Sequence, residues 1–144
     1  MVPKHLTSIN DIAAACWDGL LAADYPFLSH GFIRALEDSG AVCAASGWQP
    51  AHRVVERDGQ LQALLPLYLK DHSWGEYVFD WQWADAWERA GRAYYPKYLS
   101  AAPFSPVQGP RCRCGRRVAG QSGCRPAGAA GVQFAPAVQY RRRE

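Results

Sequence analysis

Two runs of residues that flank Asp58-Gly59 constrain the fold of this chain more than any other feature of its sequence. The first run covers 52–57 and the second covers 61–69. Asp-Gly suits the positive backbone angles of a type I′ turn, so the pattern predicts an antiparallel hairpin. All odd-numbered residues of the second run are apolar, which predicts that this face of the strand is buried. Pro66 has no backbone N–H to donate, and it therefore predicts an edge position or a bulge.

Two helices are expected before the hairpin. An S-x-x-D start at Ser8 is followed by apolar residues at helical spacing, which predicts a helix over 9–21 with Cys16 on its buried side. Ser29 is a suitable N-cap for the second helix, and Gly40 is a suitable residue to end it.

The remaining segments are assigned from shorter signals. His30 is predicted to be solvated, and 41–50 is predicted to be a loop because it is rich in Ala, Ser and Gly. Beyond the hairpin we expect a short strand over 76–79, a helix over 80–90 that ends at a glycine, and a further strand over 97–102.

The stretch 64–87 places large aromatic rings next to acids. Four of the six tryptophans alternate there with three acids: Trp74, Trp81, Trp83 and Trp87, with Glu76, Asp80 and Asp85. This density of rings and carboxylates indicates that the stretch lines a pocket, or that it packs in the core and has a site at its edge. The sequence alone leaves both interpretations open.

This stretch also supplies the candidate site residues. A carboxylate packed against tryptophan rings can have its pKa raised by desolvation, as a base that deprotonates an amine requires. Glu76 and Asp80 are therefore the candidate catalytic residues, although a helix cap is the competing interpretation of Asp80. The candidate substrate-binding residues are Lys70, His72, Ser73, Tyr77, Trp81, Trp83, Tyr95 and Lys97. No bound metal or cofactor is expected.

The composition of the chain changes at Arg111. Residues 1–110 carry 8 Lys and Arg against 12 Asp and Glu, whereas 111–144 carry 8 Arg and one acid. The second segment has no Leu, Ile, Met, Trp, Lys or His. Arg, Gly, Ala and Pro dominate it, and these are the residues whose codons begin with two G or C bases. A shifted reading frame in GC-rich DNA explains this mixture, so we expect a folded part over 1–110 and a frameshifted, disordered tail over 111–144.

Three other interpretations of the tail stay open. It could be a disordered basic arm that binds nucleic acid through phosphate contacts alone, without sequence specificity. It could be a linker. Cys112, Cys114 and Cys124 could also hold a metal, but the three thiolates lack a nearby fourth ligand.

Cysteine usage and hydropathy bear on the compartment. The five cysteines are an odd number without framework spacing, which favours a reducing environment. Polar residues interrupt what would have to be an apolar leader at the N-terminus, and no run approaches 18 apolar residues. We therefore expect a cytoplasmic protein without a membrane span.

Six longer motifs carry a family resemblance. They are YPFLSHGF with RALE at 25–37, GWQP at 47–50, PLYLK at 66–70, HSWGEYVFDW at 72–81, YYPK at 94–97 and PFSPVQGP at 103–110. Together they resemble the opening part of a bacterial FemAB-like family, which is placed in the GNAT acyltransferase superfamily and often labelled peptidoglycan biosynthesis. These motifs stop at residue 110, where the composition changes.

The resemblance implies an α/β fold, a GNAT-like partial domain in which a mixed or antiparallel sheet is flanked by helices. It implies transfer of an acyl or aminoacyl group to a small-molecule or peptide amine, with acyl-CoA or aminoacyl-tRNA as the donor substrate. Family members are longer, so this chain is expected to be truncated and inactive by itself, and to self-associate through exposed apolar surface. The alternatives are a non-enzymatic, basic-tailed nucleic-acid-binding protein and an inert fragment of an interrupted gene.

The frameshift interpretation predicts what the gene contains. A one-base shift after codon 110 should open a long reading frame that is rich in Leu and resembles the family. DNA sequencing and translation in all three frames would check this. Immediate stop codons in both alternative frames would contradict it.

Overall fold

The computed structural model describes residues 2–21, 25–77 and 80–115. Its strands are β1 (Val2–Leu6), β2 (Trp48–Pro50), β3 (His52–Arg57), β4 (Gln60–Leu65), β5 (Tyr68–Lys70), β6 (Lys97–Leu99) and β7 (Arg113–Cys114). Its α-helices are α1 (Ala14–Asp18), α2 (His30–Asp38) and α3 (Trp81–Arg89). One antiparallel sheet has the order β1-β3-β4-β7, and a second has the order β2-β5-β6. The α/β class with antiparallel sheets is as predicted, while the GNAT-like arrangement stays a prediction.

The predicted hairpin is present, and it connects the two sheets. Both residues of Asp58-Gly59 have positive φ angles, 51° and 73°, as a type I′ turn requires. Arg53 pairs with Leu65 in the first sheet, and Trp48 pairs with Lys70 in the second. The two pairs share one register, so β2–β3 and β4–β5 are the arms of a single ladder that passes from one sheet to the other.

Pro66 marks the point where this ladder changes sheet. The strand β4 ends one residue before it, and β5 begins two residues after it. The N–H of Leu67 donates to the ring Nδ1 of His52 at 3.2 Å, while the Leu67 carbonyl accepts from the N–H of Ala51 at 2.8 Å. A side chain therefore replaces a backbone acceptor at the bend, which agrees with the predicted interruption at Pro66.

The buried face of the second arm is the even-numbered one, and the prediction of an odd-numbered buried face was wrong. The buried residues are Leu64, Pro66, Tyr68 and Lys70, whereas Leu61, Ala63, Leu65, Leu67 and Leu69 are half-buried. Paired residues of an antiparallel ladder point to the same face. Leu64 pairs with Val54 and Lys70 with Trp48, and both partners lie in the core, so the pairing decides which face is inside.

Two apolar clusters pack against the two sheets, and His52 lies between them. The first comprises Leu6, Ile9, Trp17, Ile33, Val54 and Leu64, and the second comprises Val42, Trp48, Tyr68 and Leu99. The His52 ring centroid is 5.9 Å from that of Trp17 and 5.3 Å from that of Tyr68. The ring therefore joins the two clusters.

Glu37 of α2 fixes the His52 ring. Because Nδ1 of His52 accepts from Leu67, its Nε2 carries the proton and donates to Glu37 Oε1 at 2.9 Å. The other oxygen, Oε2, accepts from the Ser8 hydroxyl at 2.8 Å and from the N–H of Ile9 at 2.9 Å. This one buried carboxylate thus ties α2 to the bend of the ladder and to the N-terminal turn.

The first predicted helix is shorter than expected. Ser8 caps a 3-10 turn over Ile9–Asp11 in a capping box, and α1 begins only at Ala14. The break shifts the helical phase, so Trp17 is buried and Cys16 is exposed, contrary to the prediction.

The second helix is confirmed, with Ser29 accepting from the N–H of Phe32 at 3.2 Å. His30 is buried rather than solvated, because its Nε2 donates to the carbonyls of Ile9 and Ile12 at 3.1 and 3.0 Å. The segment 41–50 contains a 3-10 turn and β2 instead of being wholly a loop.

The folded part extends past the predicted boundary at Arg111. Arg113 and Cys114 pair with Leu64 and Ala63, and the N–H of Gly115 donates to the carbonyl of Gln62 at 2.6 Å. Residues 116–144, which carry most of the predicted disordered tail, lie outside the described residues. In the described ranges, no helix has the length and apolar character needed to cross a bilayer.

Replacing Glu37 by Ala should lower the free energy of unfolding by about 2–4 kcal/mol, because the buried Nε2–H of His52 and the N–H of Ile9 lose their acceptor. Urea denaturation at pH 7 measures this change. The matched control is Glu88→Ala on the exposed face of α3, which should change stability by less than about 0.5 kcal/mol. Equal losses in the two variants would contradict the assigned role of Glu37.

Candidate functional site

Two lysines lie side by side on the buried face of the second sheet. Lys70 of β5 is the register partner of Lys97 of β6, and on its other side it pairs with Trp48 of β2. Both lysine side chains are almost completely buried. Like charges at opposite positions of a sheet repel, so this arrangement requires carboxylates close by.

The segment 71–80 supplies those carboxylates. Lys97 Nζ donates to Glu76 Oε2 at 2.8 Å and forms a second ion pair with Asp80 Oδ2. A third bond joins Lys97 Nζ to the Ser73 hydroxyl at 2.9 Å. The Glu76 and Asp80 side chains are only 5% and 2% exposed. Two cations and two anions therefore share one buried cluster, which we call the charged cluster (Lys70, Ser73, Glu76, Asp80, Tyr94, Tyr95 and Lys97).

Asp80 lies at the start of α3, but its carboxylate does not cap the helix. The backbone carbonyl of Asp80 accepts from the N–H groups of Trp83 and Ala84, as an N-cap carbonyl does. Its side chain accepts instead from the hydroxyls of Ser73 and Tyr94, the latter at 2.5 Å, and from Lys97. Burial alone would raise the pKa of Asp80, but these donors outweigh it and hold the pKa below its usual value.

Glu76 differs from Asp80 in its hydrogen bonding. Oε2 is bonded to Lys97, whereas Oε1 is buried and has no hydrogen-bond partner among the described residues. Lys70 Nζ lies 3.9 Å from Oε1, at ion-pair distance but too far for a hydrogen bond. Desolvation raises the pKa of Glu76 above its ordinary value, and Lys97 offsets only part of this effect. The pKa of Glu76 is therefore raised, whereas that of Asp80 is lowered.

Lys70 is held by uncharged groups. Its Nζ donates to the carbonyl of Trp74 at 3.0 Å and lies 3.8 Å from the centroid of the Trp48 ring, which is a cation–π contact. Trp48 Nε1 donates to the same carbonyl at 3.2 Å. Desolvation lowers the pKa of Lys70 to about 8, and the attraction of nearby acids offsets only part of this decrease.

The two tyrosines complete the cluster. The single hydroxyl hydrogen of Ser73 goes to Asp80, so Tyr95 donates to Ser73 Oγ at 2.5 Å. Tyr94 was missed in the sequence analysis, although it adjoins Tyr95 in the YYPK motif that carries the resemblance. Burial, together with its bond to Asp80, raises the pKa of Tyr94.

Four sequence-predicted substrate-binding residues lie outside the charged cluster. Trp81, Trp83 and Tyr77 are 54%, 64% and 57% exposed. His72 accepts from the N–H of Trp74 at 3.1 Å and lies 3.6 Å from Asp71.

The predicted strand over 76–79 also needs correction. Trp74 and Gly75 form a turn, and Glu76 and Tyr77 follow it in a bend, while residues 78 and 79 are not described. Gly75 and Tyr77 have positive φ angles, 80° and 58°. In this backbone the Glu76 side chain is buried and Tyr77 is exposed.

The sequence profile of the FemAB-like family, described as peptidoglycan biosynthesis/recognition, matches residues 8–126. The chain belongs to the FemAB-like family. The matched range includes the whole charged cluster and runs past Arg111, so the family likeness continues beyond the last motif at 110. No curated protein and no solved structure matches the chain. Within 2–21, 25–77 and 80–115, no three His, Cys, Asp or Glu residues are grouped to hold a metal ion, and Cys124 lies outside these ranges.

The lowered pKa of Lys70 predicts how stability depends on pH. Between its folded pKa of about 8 and its ordinary value of 10.5, the unfolded chain binds more protons than the folded chain. Stability should therefore rise with pH across this window through the contribution of Lys70. Urea midpoints at pH 7.5, 8.5 and 9.5 should show this slope in the unmodified protein and a smaller slope in Lys70→Met.

Lys4→Met is the control, because Lys4 is a half-exposed lysine in a surface ion pair. It should keep the slope of the unmodified protein. Identical slopes in Lys70→Met and the unmodified protein would show that Lys70 titrates normally.

Proposed function

We propose that this FemAB-like protein acts in peptidoglycan biosynthesis as an N-acyltransferase component, with Glu76 as the general base that deprotonates the acceptor amine. The acceptor is a small-molecule or peptide amine, and the donor is an acyl-CoA or an aminoacyl-tRNA. The reaction takes place in the cytoplasm, where both donor classes are found. Membership of the family supports the link to peptidoglycan, and the charged cluster supports the choice of chemistry.

The proposal depends on the burial, the pKa and the hydrogen bonding of Glu76. Its carboxylate is buried, its pKa is raised, and Oε1 has no hydrogen-bond donor among the described residues. A base works best when its pKa approaches the working pH and when one oxygen is free to accept the proton. Asp80 meets neither condition, since its pKa is lowered and both of its oxygens accept hydrogen bonds. Asp80 is therefore a positioning residue in this proposal.

The reaction step involves few groups. The amine nitrogen attacks the acyl carbonyl carbon, and its proton passes to Glu76 Oε1. The C–N bond forms as the bond from the acyl carbon to the donor sulfur or oxygen breaks. Lys70, 3.9 Å from Glu76 Oε1, returns a proton to the leaving group. Lys97 keeps Glu76 in place through Oε2.

The substrate must reach a side chain that is now covered. Trp74 and Tyr77, on either side of Glu76, are 65% and 57% exposed, so the turn that covers Glu76 has a solvent face. The backbone of this turn is fixed, because the Trp74 carbonyl accepts from Lys70 Nζ and from Trp48 Nε1. We infer that the amine enters between the exposed side chains of Trp74 and Tyr77, while the backbone over 74–77 keeps its place.

Glu76→Gln should reduce acyl transfer by roughly 10²–10⁴-fold, which is the usual contribution of a general base. Transfer from acyl-CoA and from aminoacyl-tRNA to amine-bearing peptidoglycan precursors would be followed by mass spectrometry. The assay compares the 144-residue chain with the frame-restored protein.

Asp85→Asn is the matched control, because Asp85 is an exposed acid on α3 that pairs with Arg89. It should leave turnover within about twofold of the unmodified protein. No transfer by either protein with either donor would overturn the proposal. Turnover in Glu76→Gln equal to that of Asp85→Asn would remove Glu76 from the role of base.

A further inference from the structure

One side of α3 carries an open groove that the charged cluster does not use. Trp83, Ala86, Trp87 and Ala90 follow one another at helical spacing, and with Arg92 they line a depression of about 360 Å³. Trp83 is 64% exposed, and Trp87 is half-buried. Alanines lie next to both tryptophans along this stripe, so no bulky side chain of the stripe separates the two indole rings.

The end of α3 explains the position of Arg92. The N–H of Gly91 donates to the carbonyl of Glu88, and the N–H of Arg92 donates to the carbonyl of Trp87, both at 2.9 Å. These two bonds form a Schellman motif, and the φ of 71° at Gly91 meets its need for a left-handed residue. The motif turns the chain back over the last turns of the helix, so that Arg92 comes to lie above Trp87.

Arg92 is arranged differently from its neighbour Arg89. The Arg92 guanidinium carbon is 5.7 Å from the centroid of the Trp87 ring, and no carboxylate of the described residues forms an ion pair with it. Arg89 instead pairs with Asp85 one turn earlier on the helix. A guanidinium stacked on an indole keeps its N–H edge available for an oxyanion, and its planar fork matches a phosphate.

We propose that this groove binds a nucleotide, with the base stacked on the exposed indole of Trp83 and the phosphate bound by Arg92, which lies over Trp87. Indole faces stack well on nucleobases, and the volume lies at the lower end of the range for small-molecule sites. An apolar partner would explain the two tryptophans but not Arg92 at the rim, which forms no ion pair with a described carboxylate. The chemistry of the groove therefore selects a flat ring that carries a negative charge.

The groove is one aromatic ring away from the charged cluster. The ring centroids of Trp87 and Tyr94 are 6.5 Å apart, and the hydroxyl of Tyr94 donates to Asp80. Acyl-CoA and aminoacyl-tRNA both contain an adenine nucleotide, so the groove binds the adenine nucleotide portion of the acyl donor. That role rests on the proposed function, whereas nucleotide binding itself does not.

Isothermal titration of the full chain with AMP tests the binding. Arg92→Gln should weaken AMP binding by about tenfold or more, because it removes a charge-assisted bond to the phosphate. Arg89→Gln, three residues away, should leave the Kd within about twofold because Arg89 is already paired. Trp83→Ala should also weaken AMP binding, and circular dichroism would verify that each variant keeps its fold.

Titrations with adenosine and with inorganic phosphate separate the two contacts. We expect each to bind more weakly than AMP, with only the phosphate titration sensitive to Arg92→Gln.

Equal effects of Arg92→Gln and Arg89→Gln, or phosphate binding as tight as AMP binding, would overturn the proposal. So would an absence of AMP binding together with self-association that Trp83→Ala abolishes, since a second copy would then occupy the groove. AMP binding without acyl transfer would support this nucleotide site and exclude the proposed function. Acyl transfer without AMP binding would support the proposed function and exclude this nucleotide site.

Discussion

The burial of two neighbouring lysines is the constraint on which the second half of the described structure depends. Lys70 and Lys97 face each other across β5 and β6 in a sheet that has only three strands. A buried ammonium group without a partner is strongly unfavourable, and removing one member of a buried ion pair typically costs about 3–5 kcal/mol. The segment between the strands therefore has to bring Glu76 and Asp80 inward, and this places the start of α3 and Tyr94 next to the lysines.

The same constraint divides the roles of the two acids. Lys97 bonds to both, but only Asp80 also accepts from two hydroxyl groups, so only its pKa is lowered. One oxygen of Glu76 has no hydrogen-bond donor among the described residues, and it lies beside a lysine whose own pKa is lowered to about 8. An acid with a raised pKa and a lysine with a lowered pKa in contact are a common feature of sites that transfer protons, although ion-pair networks that only stabilise a fold share it. Measured turnover of the Glu76 variant separates these two cases.

Local signals in the sequence identified most of the elements. The turn at Asp58-Gly59, the cap at Ser29 and the end of α3 at Gly91 each depend on backbone angles or on bonds within a few residues, so short patterns were sufficient. The errors arose where distant contacts decide. His30 is buried by carbonyls of the N-terminal turn, and the buried face of 61–70 is set by pairing with β2 and β3. The strand at Arg113–Cys114 exists because β4 offers it a free edge.

Short motifs and turn residues were sufficient to predict the family, the hairpin and the stretch in which the charged cluster lies, because each of these depends on adjacent residues. The same stretch and the YYPK motif contain the candidates Glu76, Asp80, Ser73, Lys70, Tyr95 and Lys97. That these six side chains meet, while Trp81, Trp83 and Tyr77 are exposed, became visible only in the folded chain. Pairing of β5 with β6 brings residues 70 and 97 together across the segment that contains α3. No periodicity within the chain encodes that register.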